Sequence, residues 1–210
     1  MFRILALLAD IANALFALVF ASIVTGTALQ WWHLFIAIPF ALLPDIDAVY
    51  ELYRRGRVSA SAVHQKDHRT FLHYPVFAIP LAILAGATGG YWGLVLGIAI
   101  VLHLANDLYG TGWGLALFWP LKTAHYKLCN RRANRLRSLL VRDGDWDVLT
   151  DDERRLRPIV SWSNEELPIY ISRWGVDDWI PLWFQELTWV SVIEYTLFLF
   201  ALSLFVTQLI

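Results

Sequence analysis

The sequence is short of charge. Only 17% of its 210 residues are Asp, Glu, Lys or Arg, against 58% that are hydrophobic; an ordinary soluble domain carries about 25% charged residues. With a mean hydropathy of +0.50, that shortage excludes an ordinary water-soluble domain and indicates an integral membrane protein with a modest polar part. There is one cysteine, Cys129, which excludes an internal disulfide and a cysteine-rich zinc site. Any metal must be held by His, Asp or Glu. The formal net charge of -1 gives no bias toward polyanionic or polycationic partners. His-Glu-x-x-His and Gly-x-Ser-x-Gly are both missing, so the familiar zinc-protease and serine-hydrolase arrangements have no support. No internal repeat and no low-complexity tract is present.

What the chain does have is long apolar segments. Residues 2–24 match the roughly 20 residues needed to cross a hydrocarbon core. The run is longer than the hydrophobic region of a signal peptide and carries Asp10 and Asn13, so it is expected to be a retained first membrane helix. After Thr25-Gly26-Thr27, a second apolar segment, 28–43, opens with Trp31 and Trp32 as interfacial anchors and stops at Pro44. Two tight antiparallel segments are expected at about 74–88 and 91–109, and a last one at 189–210. Residues 111–121 are too short to cross and too apolar for a free loop, which predicts a re-entrant or interfacial piece. The expected fold is therefore all-α, a polytopic transmembrane bundle of about five spans. It divides into a membrane-embedded part (1–125), a cytoplasmic or interfacial Trp-rich segment (126–188) and a C-terminal transmembrane helix (189–210).

Topology follows from the basic residues. Segments 48–73 and 122–157 carry the Lys and Arg, so both should stay cytoplasmic, and Arg3 places the N-terminus on the same side. The run 122–142 has seven basic residues and no acidic one. It lacks interleaved aromatics apart from Tyr126, so anionic lipid is a better partner for it than nucleic acid. Asp143-Gly-Asp145-Trp-Asp147 resembles a calcium loop only in part. Val148 stands where the turn glycine belongs and Arg154 where the bidentate Glu should be.

Three polar clusters then fall at the cytoplasmic ends of apolar segments. Asp45 and Asp47 follow Pro44; His68 and His73 flank Arg69; His103 and Asp107 lie four apart. On a helix, His103 and Asp107 project from one face and could chelate one cation. Ionisable groups in membrane segments are costly without a role, which favours function there. Asp45 and Asp47 cannot share a face of a regular helix. They either meet a metal at a turn or favour the N-terminal dipole of a helix started by Pro44. His64 and Asp67 lie beside the second cluster, and Asp10 could join the site from the first helix. His33, beside Trp31-Trp32, reads as interfacial.

The order Pro44-Asp45-Ile46-Asp47, His68-Arg69-x-x-x-His73, His103-Leu104-x-x-Asp107, with Thr111-Gly112 and Leu117-Phe118-Trp119-Pro120, resembles the membrane-bound metal-dependent hydrolases of bacteria and archaea. Some of that family are described as LexA-binding, inner-membrane-associated hydrolases. The resemblance covers roughly residues 30–125, with Thr70, Leu72 and Tyr74 departing from the family's smaller residues. It implies a prokaryotic inner-membrane protein in which Asp45, Asp47, His68, His73, His103 and Asp107 hold one or two divalent ions, zinc or manganese. The metal's water would attack an ester or phosphoester, lipid-linked by the site's position, with Arg69 stabilising developing charge and Asp107 assisting. The competing expectation is a non-enzymatic metal-stabilised scaffold, or a metal transporter.

Overall fold

The computed structural model describes residues 2–56, 69, 71–185 and 187–209. A short 3-10 turn leads into α1 (Leu8–Thr25), which stops where Gly26 takes a left-handed φ of 69° and returns its N–H to Ser22. The chain re-enters as α2 (Leu34–Ala41), bends, and continues as α3 (Ile46–Arg55). A hairpin of α4 (Pro75–Thr88) and α5 (Gly90–Tyr109) follows, and the chain ends in α9 (Trp189–Leu209). Between α5 and α9 lies a polar unit. It holds the strands β1 (His125–Asn130) and β2 (Arg157–Trp162) and the helices α6 (Arg137–Arg142), α7 (Asp151–Arg154) and α8 (Glu166–Trp174).

The membrane part packs on small residues. Ala14, Ala17 and Ala21 of α1, Ala37 and Ala41 of α2, Ala99 of α5 and Ala201 of α9 are all buried in one cluster with Leu15, Leu18 and Val95. Between apolar helices in lipid there is no hydrophobic drive, so close van der Waals approach does the work, and small side chains permit it. The α4–α5 hairpin is the extreme case. A Cβ on Gly93 would fall 2.0 Å from the carbonyl oxygen of Ala85, and one on Gly97 would fall 2.5 Å from that of Ala82.

Among the described residues three helices are long and apolar enough to cross a membrane: Leu5–Thr25, Gly90–Tyr109 and Trp189–Leu209. A fourth span is counted if Trp31–Ala41 and Ile46–Arg54, which meet at 73°, act as one broken span. The expected five are not reached, for a reason of length. At 1.5 Å per residue α4 is about 21 Å long, and Trp31–Ala41 about 17 Å, against a hydrocarbon core of about 30 Å.

The all-α expectation needs a second correction. β1 and β2 pair antiparallel, with His125 opposite Trp162 and Asn130 opposite Arg157, and Leu115 bridges to Tyr126. The segment 111–121 is thereby tied to the polar unit. The tryptophans of the segment 126–188 are partly interior: Trp162 and Trp174 share a buried cluster with Trp113, Leu140, Val160 and Ile171. Much of the basic run is also committed inside this unit. Arg132 pairs with Glu166 at 2.5 Å, and Arg135 pairs with Asp143 and with Asp145.

Candidate metal centre

The bend after α2 makes the first half of the site. Pro44 has no N–H, so the helical ladder cannot pass through it. The chain instead makes successive tight turns, with Leu43 donating to Phe40, Asp45 to Leu42 and Ile46 to Leu43. Asp45 is left at the corner. It makes no side-chain cap to α3; its Oδ1 lies 3.1 Å from Nε2 of His73, which ends a 3-10 turn just before α4. Asp45 thus stands at the N-cap position of α3, as the dipole reading expects, while its side chain meets His73 and caps no N–H of the helix. Asp47 sits in the first turn of α3, half-buried, and stands outside the metal-type group found among the described residues.

The second half comes from α5. His103 Nδ1 lies 2.9 Å from Oδ1 of Asp10 on α1 and 3.0 Å from the carbonyl oxygen of Ala41, at the unpaired end of α2. Both are acceptors, so Nδ1 carries the proton and donates. Nε2 is then turned toward Asp45 Oδ1 at 3.5 Å and Asp107 Oδ2 at 3.7 Å, both beyond a good N–H···O bond. His73 Nε2 lies 3.3 Å from the same Asp107 Oδ2. His73 is 1% exposed and His103 4%, whereas the Asp45 side chain is 27% exposed and forms the open edge.

The donor set fits a divalent cation. Asp45, His73 and His103 offer one ligand atom each within 4.8 Å of one another. A regular tetrahedron with bonds of 2.0–2.1 Å has edges of about 3.3–3.4 Å. The distances from the ring nitrogens of His73 and His103 to the Asp45 and Asp107 oxygens run from 3.1 to 3.7 Å, astride that value. A proton on each ring could answer one acceptor apiece; a cation would answer Asp45, His73 and His103 at once, with Asp107 beside that group of three. The Asp10–His103 contact also supplies the carboxylate behind a ligating imidazole that fixes its tautomer. Among the described residues this is the one such group, so a second ion has no ligand set there. His68, with His64 and Asp67, lies outside the described residues.

Arg69 is held against Asp107. Its Nη2 donates to Asp107 Oδ1 at 2.5 Å and to the carbonyl of Thr111 at 3.0 Å. That clamp leaves Oδ2 facing the histidines. Gly112, with φ +83°, makes the room: a Cβ there would lie 2.6 Å from Arg69 Nη1. His33 is far from all this by position. It begins α2 at the other end and bonds the hydroxyl of Tyr91 at 3.1 Å among Trp32 and Trp92.

A cavity of about 270 Å³ opens beside the group, and Asp10, Asp45, Arg69, His103 and Asp107 line it. Trp174, Trp179, Trp183 and Phe184 give it an aromatic lining, with Glu194 of α9. The sequence signal for Glu194 was a carboxylate inside an apolar helix; nothing in the pattern tied it, or the tryptophans, to the three clusters.

The comparisons bear on the chain as a whole. The family model for the YdjM inner membrane protein matches residues 11–208. No curated protein and no solved structure matches.

Proposed function

The chain belongs to the YdjM inner membrane protein family, and on that premise we propose that it is a metal-dependent hydrolase working at the cytoplasmic end of its membrane helices. The observation that carries the reading is His103, locked by Asp10 and Ala41 so that Nε2 faces two carboxylate oxygens beside His73. Asp45, His73, His103 and Asp107 would hold one ion, and a set of two nitrogens and two oxygens suits zinc or manganese. A divalent ion there supplies Lewis acidity and a water acidic enough to attack an ester or phosphoester.

The chain's own residues do the rest. Asp10 fixes the His103 tautomer, Arg69 holds Asp107 in register, and the exposed edge of Asp45 borders the cavity where a substrate enters. Arg69 also reaches the cavity wall, where its charge can meet developing negative charge. For topology we favour passage of α2 and α4 as shortened spans, with the N-terminus cytoplasmic. All ligands then lie at one face, which disfavours a transporter, since a transporter places its site near the midplane. An adjoining cavity disfavours a closed structural centre.

The test is metal content and hydrolysis together. Full-length protein purified without chelators should carry close to one zinc or manganese, and His103→Ala should carry none. A panel of esters and phosphoesters should show turnover that chelator removes and metal restores. Wild-type protein as metal-free as His103→Ala would sink the centre; a loaded but inert protein would leave the scaffold reading.

A further inference from the structure

The aromatic lining of the cavity is not accounted for by a metal. Glu194 is 4% exposed, and its Oε2 is buried with no hydrogen-bond partner among the described residues. The indole Nε1 of Trp174 is likewise a buried donor without an acceptor. Buried polar groups are normally satisfied, so each such atom calls for a partner. One needs an acceptor and the other a donor or a cation.

Charge gives the same answer. Asp10, Asp45, Asp107 and Glu194 line the cavity against the single guanidinium of Arg69. Aromatic faces attract cations, and one of these tryptophans already does so within the chain: the Arg173 guanidinium lies 4.4 Å from the ring centre of Trp174.

We infer that the tryptophan wall and Glu194 form a subsite for an alkylammonium group, so that the substrate class is an amine-bearing phospholipid head. The ammonium lies against Glu194 and the indole faces, and a head oxygen accepts from Trp174 Nε1. The phosphate ester faces the histidine side; only that last placement rests on the hydrolase reading. A lipid source fits the surroundings. Just beyond Asp45, α3 exposes Ile46, Val49, Tyr50 and Tyr53 along one face, the pattern of a helix lying in the headgroup layer. A cavity of about 270 Å³ is near the lower limit of small-molecule pockets, about 300 Å³, and suits a head group better than acyl chains.

The experiment is calorimetric titration of the full chain in maltoside micelles with short-chain phosphatidylethanolamine, short-chain phosphatidylglycerol and free ethanolamine, each with and without chelator. Phosphatidylethanolamine should bind at least ~10-fold tighter than phosphatidylglycerol. The preference should survive chelation and drop below ~3-fold in Glu194→Gln and in Trp179→Leu, both checked for wild-type metal content and near-ultraviolet dichroism. Equal binding of the two lipids, or a preference kept in Glu194→Gln, would overturn the subsite. Ethanolamine binding as tightly as the lipid would overturn the lipid assignment. Because the readout is binding, it separates from the chemistry. A preference without hydrolysis removes the hydrolase reading alone; hydrolysis of both lipids without a preference removes this subsite alone.

Discussion

Replacing Gly112 by Ala should weaken the metal centre without altering any ligand. At φ +83°, the new Cβ would come within 2.6 Å of Arg69 Nη1, 2.9 Å of Cζ and 3.1 Å of Nη2. The Gly112 backbone is poorly placed to yield, since its carbonyl accepts from Lys127 Nζ at 2.8 Å and from Asn134 Nδ2 at 2.6 Å. The flexible guanidinium moves instead, and it leaves Asp107 Oδ1, which it now holds at 2.5 Å. Asp107 is then free to rotate Oδ2 away from His73 and His103. Loss of a partner that orients a ligand typically lowers metal affinity ~10–100-fold, which is about 1.4–2.7 kcal/mol.

A left-handed alanine also costs about 1–2 kcal/mol in the backbone, so a lower melting temperature by itself would show nothing. Gly144→Ala is the matched control: its φ is +77°, and nothing lies within 4 Å of the added Cβ. Zinc affinity, measured by competition with a chromogenic chelator, should fall ~10–100-fold in Gly112→Ala and stay within ~2-fold of wild type in Gly144→Ala. Arg69→Ala should fall as far as Gly112→Ala, and the double variant little further, because both remove one contact. Equal losses in the two glycine variants, or wild-type affinity in Gly112→Ala, would refute the idea that Arg69 orients the centre.

Asp10→Asn keeps the size of the residue behind His103 but not its charge, so chelator competition should show a ~10–100-fold weaker metal site while the fold persists. Because the ligands come from the α2–α3 corner, the turn before α4, and α5, metal at about 100 times Kd should stabilise the folded chain by about 2.7 kcal/mol; the thermal shift should vanish in His103→Ala. Lys127, fully buried, is pushed well below the ordinary lysine range by burial first and by the Arg69 guanidinium second. In the window between that lowered pKa and about 10.5 the unfolded chain binds the extra proton, so stability should rise with pH there. Lys127→Met should flatten that rise in denaturation curves recorded from neutral to alkaline pH.

The sequence showed the membrane part because lipid imposes a coarse rule. Segments near 20 apolar residues must be helices, and α1, α5 and α9 follow. It showed the convergence of Asp45, His73, His103 and Asp107 because one-sided polar clusters at helix ends have few other places to go. It could not choose between Asp45 and Asp47, since that depends on which residue the turns around Pro44 leave at the corner. The polar unit was less legible. β1 and β2 are six residues each, and β1 buries Lys127 where an alternating pattern would place an apolar side chain. Trp162 and Trp174 are core residues of that unit, yet tryptophans near a membrane segment look the same in sequence whether they face headgroups or each other.

The placement of the polar unit bears on how the site is built. Thr111 and Gly112 stand between the helices and the unit: the carbonyl of Thr111 accepts from Arg69, and that of Gly112 accepts from Lys127 and Asn134. Arg69 in turn fixes Asp107. Lys127 and Asn134, whose own side chains bond each other at 3.1 Å, therefore reach Arg69 and Asp107 through two peptide carbonyls. The α2–α3 corner, the turn before α4, and α5 would supply the ligand atoms, while the polar unit supplies the aromatic lining and steadies the residues that aim Asp107. A change confined to β1 should on this account alter metal affinity at a distance, which two independently standing parts would not allow.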